Sequence, residues 1–276
     1  MACRLAREAG ALILDRFRGG LDVTFKEGRE PVTEADRVAD ELIRLGLVEA
    51  FPEDAVVTEE SPDDLERLER RRVWFVDPLD GTKQFVRELP EFAVMIGLAV
   101  DGTPRLGLIH LPCESVTCLA VASEGAWELD AQGRRRRLAV RPAPGSLGEA
   151  TFAMSRTLEG TRTARALERL APGHVIRSGS VGRKAVLVAR GEADAYFSLS
   201  GHSRQWDALA GDVLVHEAGG FFGTALGERI VYNTPGLRNR HGLLACHPDL
   251  RGAIVAALRD EIRPGNDEER DGDTTD

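Results

Sequence analysis

Four cysteines are all that this 276-residue chain contains, and none of Cys3, Cys113, Cys118 and Cys246 falls in a Cys-x-x-Cys pair or a zinc-ligand spacing. That excludes a disulfide scaffold and a structural zinc site, and predicts reduced, buried thiols. No apolar run approaches the roughly 18 residues needed to cross a bilayer, and the first residues lack the apolar core of a secretory signal. The expectation is a cytoplasmic protein with no membrane partner. Basic charge is not in excess either. The net charge is −9, of which −5 sits in residues 264–276, with six acids against one arginine and no apolar side chain. Such a segment predicts a disordered acidic tail, and the balance elsewhere gives no footprint for a nucleic-acid polymer. No internal repeat is visible, so a solenoid is excluded.

What is present is a chain long enough to bury a substantial core as one domain or two intimate subdomains. Leu5, Ala9, Leu12, Ile13 and Phe17 share a helical face, which predicts a helix over residues 2–18 ended by Gly19-Gly20. A second helix starts near Thr33 and stops before Pro52. Short apolar segments follow at 56–57, 73–76, 92–100, 105–110 and 116–122, with Asp101-Gly102 as a hairpin turn. They predict a largely antiparallel sheet. Beyond Pro142-Ala143-Pro144-Gly145, strand-like and helix-like segments alternate, which argues for an α/β arrangement. The expected organisation is 1–145, a helix pair plus antiparallel sheet; 146–263, an α/β subdomain; and 264–276, the tail.

Chemistry concentrates at Asp77-Pro78-Leu79-Asp80-Gly81-Thr82, directly after the apolar run Val73-Trp74-Phe75-Val76. A buried strand would deliver two carboxylates to a turn, followed by a glycine and a hydroxyl opening a helix. Clustered carboxylates repel and call for a cation, and hard oxygen ligands select Mg2+, Mn2+ or Ca2+ over zinc. An aspartyl nucleophile with an acid partner would need the two acids two apart on one strand face. Here they are three apart, with Pro78 forcing the chain to turn. The plainer alternative is a helix start with Asp80 near its cap.

Two more segments can add ligands. Thr58-Glu59-Glu60-Ser61 ends a short strand, although the acids that follow make a solvated loop the simpler reading. Trp206-Asp207 heads a helix, where an aspartate either caps or points into a cleft. Asp36 lies three residues after Thr33, a capping-box spacing.

In their order and spacing, Glu59-Glu60, Asp77 to Phe85, and Trp206 to Gly211 ending in Glu217-Ala218-Gly219-Gly220 resemble the inositol monophosphatase-like superfamily of Mg2+-dependent, lithium-sensitive phosphatases. The resemblance spans residues 5 to 260. It implies a layered α-β-α-β-α sandwich of mixed α/β (α+β) class, the type shared with fructose-1,6-bisphosphatase. It also implies two or three Mg2+ ions, with Mn2+ as a substitute, held by Glu59, Asp77, Asp80, Asp207 and the Leu79 carbonyl. Glu60 would stand behind them or ligate weakly. Gly81 and Thr82 would offer N–H groups to phosphate. Asp36 would accept a hydrogen bond from Thr82, which orients the attacking water. Lys26 falls where some relatives place a lysine near the metals, and homodimers are common among them.

Substrate signals come from the flanks. Lys83-Gln84 is nearer the Lys-Glu of 3'(2'),5'-bisphosphate nucleotidases than the neutral pair usual in inositol monophosphatases. Gly179-Ser180 with Lys184, and Ser155-Arg156-Thr157, are similar to nucleotidase motifs. A second phosphate needs a cation beyond the metals, and Ser180, Arg156 and Lys184 are the candidate contacts; an ordinary surface charge is the bland alternative for Arg156 and Lys184. The expected function is a phosphate monoester hydrolase acting on adenosine 3',5'-bisphosphate through a metal-activated water. The alternatives are an inositol 1-phosphate, histidinol-phosphate or fructose-1,6-bisphosphate phosphatase, or a non-catalytic phosphate- or nucleotide-binding protein. Gln84, Thr157 and His202 to Gln205 depart from the nucleotidase pattern. Arg134 to Arg137 read as a solvated strand.

Overall fold

The computed structural model describes residues 1–19, 23–25, 31–63, 65–158 and 160–262; Lys26 and the acidic segment 264–276 lie outside them. Leu5, Ala6, Ala9 and Ile13 bury one face of α1 (Ala2–Gly19). A short hairpin, β1 (Val23–Phe25) with β2 (Pro31–Thr33), leads into α2 (Glu34–Ala50). Thr33 caps α2 by accepting the Asp36 N–H, and the Asp36 carboxylate returns to the Thr33 N–H.

Among the described residues, seven strands then form one sheet in chain order. They are β3 (Ala55–Thr58), β4 (Arg72–Asp80), β5 (Ala93–Val100), β6 (Thr103–Leu111), β7 (Val116–Val121), β8 (Gly125–Leu129) and β9 (Arg135–Arg137), with the short α3 (Thr82–Val86) between β4 and β5. Only the β3–β4 pair is parallel. Val73 and Phe75 enter one core and Trp74 and Val76 another, so β4 is buried on both faces and reads as a continuous apolar run. Along β9, Arg136 pairs with Glu128 while Arg135 and Arg137 lie over the Trp127 ring, so the basic run is an exposed edge strand.

The remaining elements are β10 (Thr151–Met154), α4 (Arg162–Leu170), β11 (His174–Arg177), α5 (Val181–Ala189), β12 (Ala195–Ser198), α6 (Gln205–Glu217), β13 (Phe221–Gly223), β14 (Leu243–Cys246) and α7 (Arg251–Leu258). Their strands form a second sheet in the order β11-β10-β12-β14-β13. Helices α1 and α2 cover the outer face of the first sheet, α5 and α6 fill the space between the sheets, and α4 and α7 cover the outer face of the second. This is the α-β-α-β-α sandwich expected from the resemblance.

Two glycines set how closely α6 approaches the first sheet. Gly97 and Gly107 are cross-strand partners on β5 and β6. A Cβ on Gly97 would sit 2.3 Å from the Leu209 side chain, and one on Gly107 would sit 2.3 Å from the Ala210 carbonyl oxygen. Helix α6 therefore rests directly on backbone, which sets the height at which its first turn, with Asp207, meets the end of β4.

One local expectation is corrected. The chain does not leave the sheet at Pro78. Strand β4 continues to Asp80, and the missing proline N–H is absorbed by a register shift between Asp77 and Asp80 against β5.

Candidate active site

Glu59, at the end of β3, Asp77, near the end of β4, and Asp207, in the first turn of α6, bring one carboxylate oxygen each within 4.8 Å of one another. Asp77 is buried, whereas Glu59 and Asp207 are half-buried at the cleft. Burial, followed by the charges of Glu59, Asp80 and Asp207, pushes the Asp77 carboxyl well above the usual carboxylate range. Asp207 is raised by burial and then by the Asp80 charge. Like charges held this close are stabilised by a proton or by a cation. The all-oxygen donor set fits a hard divalent ion such as Mg2+.

Each acid is aimed by the backbone. Asp77 Oδ1 accepts the Leu79 N–H at 3.0 Å, and Asp207 Oδ2 accepts the Arg204 N–H at 2.7 Å. Asp207 thus caps the start of α6 and also joins the acid group, so the two readings of this position hold together. The same is true of Asp36, which is buried. Its Oδ2 takes the Thr33 N–H and hydroxyl, and its Oδ1 takes the Thr82 hydroxyl at 3.1 Å. Burial pushes the Asp36 carboxyl up against the lowering effect of these hydrogen bonds.

Asp80 is placed differently from the other acids. It does not cap α3, whose cap is Gly81 at φ 103°, a backbone conformation that suits glycine. Instead Asp80 receives the Val181 N–H at 3.0 Å, the Gly182 N–H at 2.6 Å and the Ser180 hydroxyl. It caps α5, an element of the second half, and so ties the two halves together at the cleft. The Leu79 carbonyl lies 3.1 Å from the Thr82 hydroxyl. Helix α3 has only five residues, so a phosphate beside it would be held chiefly by individual N–H groups and less by a macrodipole.

The three expected substrate contacts are all engaged. The Ser180 hydroxyl donates to Asp80 and accepts the Arg183 N–H. Lys184 is buried, so the surface-charge alternative fails for it. Its Nζ donates to the Ser180 carbonyl and lies 5.0 Å from the Tyr196 ring centroid. Burial lowers its pKa to about 8, against the raising charges of Asp80, Glu91 and Asp207. Arg156 is exposed and forked onto Glu91, which also accepts the Gly179 N–H.

Glu59, Asp77, Leu79, Asp80, Gly81, Thr82 and Asp207 line one cleft of about 1090 Å³. Ser180, Lys184 and Arg156 also reach it, as do Lys83, Arg87, Arg162, Arg238 and Arg240. Asp36 stands behind Thr82. Sequence reasoning missed Glu91, which fixes Arg156, and the rim arginines Arg238 and Arg240, which sit in a loop with no periodic signal. It also missed Arg67, whose position in a charged stretch reads as solvent-facing.

An acidic group that could hold a divalent cation, a buried aspartate holding a threonine hydroxyl, and a cation-rich rim, set at the junction of two sheets, fit a phosphatase. Residues 1–263 match the inositol monophosphatase family, and the chain belongs to it. It is therefore a hydrolase of phosphoric monoesters, acting on small phosphate esters. The chain is 36% identical over 221 residues to the 3'(2'),5'-bisphosphate nucleotidase CysQ of Escherichia coli K12, covering 79% of this chain and 86% of that protein. It is 29% identical over 266 residues to the Nus factor SuhB of the same strain, covering 95% and 96%. Among solved structures, CysQ from Bacteroides thetaiotaomicron superposes with a TM-score of 0.76 at 28% identity, covering 89% of this chain and 95% of that one. No helix among the described residues is long and apolar enough to cross a membrane.

Proposed function

We propose that this chain is a Mg2+-dependent 3'(2'),5'-bisphosphate nucleotidase that removes one phosphate from adenosine 3',5'-bisphosphate. The observation that carries this reading is the division of charge within the cleft. A monophosphate ester needs only the acid group and its cations. A second phosphate needs separate positive charge, and Lys83, Arg87, Arg162, Arg238 and Arg240 line the same cleft. The 36% identity to a nucleotidase named for that substrate class supports it.

Glu59, Asp77, Asp80, Asp207 and the Leu79 carbonyl are the residues proposed to hold two or three Mg2+ ions, with Mn2+ able to replace them. The bound ions supply positive charge that lowers the pKa of a water and offsets charge on the leaving oxygen. The rest of the reaction falls to the chain itself. The Thr82 hydroxyl has one proton and two acceptors at 3.1 Å, the Asp36 carboxylate and the Leu79 carbonyl, of which the carboxylate is the stronger. The hydroxyl oxygen then accepts a hydrogen bond from the attacking water and fixes its direction. The N–H groups of Gly81 and Thr82 donate to the equatorial phosphate oxygens. Arg156, held in place by Glu91, and Lys184, through the Ser180 turn, shape the side of the cleft where the nucleotide lies. No covalent phospho-enzyme is expected, because the aspartates are read as cation ligands and not as nucleophiles.

The test is phosphate release from adenosine 3',5'-bisphosphate and inositol 1-phosphate, measured side by side with Mg2+. The reading expects a clear preference for the nucleotide. Preference for the inositol ester would replace it with the inositol monophosphatase reading, and no turnover of any candidate ester would favour a phosphate-binding protein.

A further inference from the structure

Glu59 and Asp207 come from opposite halves of the chain and repel one another, yet the cluster holds them together. A proton or a cation offsets that repulsion at the carboxylates, while the backbone segments that carry them are held from outside the cluster. Arg67 is 2% exposed and lies on a short turn after the Glu59 loop. Its Nε and Nη2 fork onto the Asp63 carboxylate at 2.9 and 2.7 Å. Its Nη1 donates to Asn233 Oδ1 and to the Thr234 carbonyl, both at 2.9 Å, and Nη2 reaches the Pro235 carbonyl at 3.4 Å. Asn233 answers from Nδ2 to the Arg67 carbonyl at 2.9 Å and donates its N–H to Gln205 Oε1 at 2.9 Å. Gln205 is buried, donates to Thr234 Oγ1 at 2.7 Å, and is the first residue of α6, two before Asp207. Ser61, between Glu59 and Asp63, is tied to Asp40 of α2 at 3.1 Å. None of Asp63, Arg67, Asn233 and Gln205 lines the cleft.

We propose that Arg67 is a positioning residue for the acid cluster: through Asp63 it fixes the loop that carries Glu59, and through Asn233 and Gln205 it fixes the helix start that carries Asp207. The planar guanidinium suits this role because its donors point in set directions toward both arms at once. Lysine has one charged nitrogen and cannot span both. Removing the guanidinium takes away the charged donor shared by Asp63, Asn233 and the Thr234 carbonyl and lets the two ligand-bearing elements relax apart.

This inference rests on the reading of Glu59 and Asp207 as cation ligands, so its test reads cation binding directly. Mn2+ is titrated calorimetrically into the intact protein and into Arg67→Ala, Arg67→Lys, Asn233→Gly and Glu59→Gln variants. Glycine is chosen at 233 because Asn233 has φ 57°, which glycine adopts without strain. Arg67→Ala is expected to weaken Mn2+ binding roughly tenfold or more, the scale found when groups that orient metal ligands are removed. Arg67→Lys should recover only part of that. Asn233→Gly should weaken binding in the same direction, and combining it with Arg67→Ala should add little, because both break one chain of contacts. A folded Arg67→Ala protein that loses thermal stability but keeps wild-type Mn2+ affinity would overturn the proposal. If Arg67→Ala does not fold, wild-type affinity in Asn233→Gly overturns it equally. Mn2+ binding that Glu59→Gln leaves unchanged would instead overturn the cation-ligand reading, and the positioning role with it.

Discussion

The Thr82 hydroxyl and the Asp36 carboxylate, 46 residues apart in the chain, meet at 3.1 Å, while the other oxygen of Asp36 caps α2 through Thr33. One buried side chain therefore joins a helix start to a group that faces the cleft. Replacing Thr82 by Val removes the hydroxyl while keeping the volume. We expect kcat to fall on the order of 100-fold, with KM little changed and about 1 kcal/mol of stability lost as the buried Asp36 oxygen loses its donor. Asp36→Ala should lose activity and also about 1 kcal/mol of stability from the lost cap. Steady-state kinetics and denaturant unfolding separate the two effects.

Gly107 has no room for a methyl group, because its Cβ would lie 2.3 Å from the Ala210 backbone oxygen. A backbone atom cannot swing aside as a side-chain end can. Gly107→Ala should destabilise the fold on the order of 3 kcal/mol and weaken cation binding by lifting α6 and Asp207. Gly97→Ala meets the Leu209 side chain instead and should cost less. Urea unfolding of both variants tests the order.

Much of this was open to reading in the sequence. Asp77, Glu59 and Asp207 converge because each sits at the end of an element whose apolar pattern is strong: the runs before Asp77 and Glu59, and the helix after Asp207. The three-residue spacing around Pro78 points to ligands only through a turn at the proline, and β4 instead stays paired as far as Asp80. What could not be read was the far partner of a side chain. Asp80 reads as a cation ligand, with a local helix cap as the plainer alternative, and neither reading finds its contact with the first turn of α5. Lys184 looked like a surface charge or a phosphate contact, yet it is buried on Tyr196. Arg67 lies among acids and arginines that read as solvated, and only the tertiary fold brings Asn233 to it. Charge and periodicity carry local information, whereas these contacts depend on which loops the two sheets bring together.

Asp212 on α6 gives a pH dependence with a definite sign. It accepts the Tyr232 hydroxyl at 2.9 Å and faces Arg229 at 3.5 Å and His216 Nε2 at 3.4 Å. Burial pushes it from 3.8 up to about 7, with Arg229 and Tyr232 opposing. His216 is pushed down to about 4, chiefly by burial, and its Nδ1 faces the Gly220 carbonyl at 3.1 Å, so Nε2 is left as an acceptor. The folded state therefore binds the Asp212 proton more tightly than the unfolded state. This contribution to stability is full below about pH 4 and is lost as pH rises through about 7. Asp212→Asn should flatten that part of the stability profile and gain on the order of 3 kcal/mol relative to wild type at pH 8. Thermal midpoints from pH 5 to pH 8 check it; identical slopes in the two proteins would contradict it.

Asp77 is buried among like charges, so cation removal should matter to stability as well as to rate. Chelation should lower the thermal midpoint, and Mg2+ should restore it in a concentration-dependent way. Asp77→Asn should make the cation-free protein more stable, on the order of 1 kcal/mol, and abolish the Mg2+-dependent gain. Scanning calorimetry with and without chelator reads both.

On the proposed function, the acid group is a cation site at which water attacks phosphorus directly. The most direct measurement is a single-turnover acid quench with phosphate-labelled adenosine 3',5'-bisphosphate and Mg2+. All released label is expected as inorganic phosphate at every time point, with none carried on the protein. Label trapped on the protein as an acyl phosphate at Asp77 would contradict it.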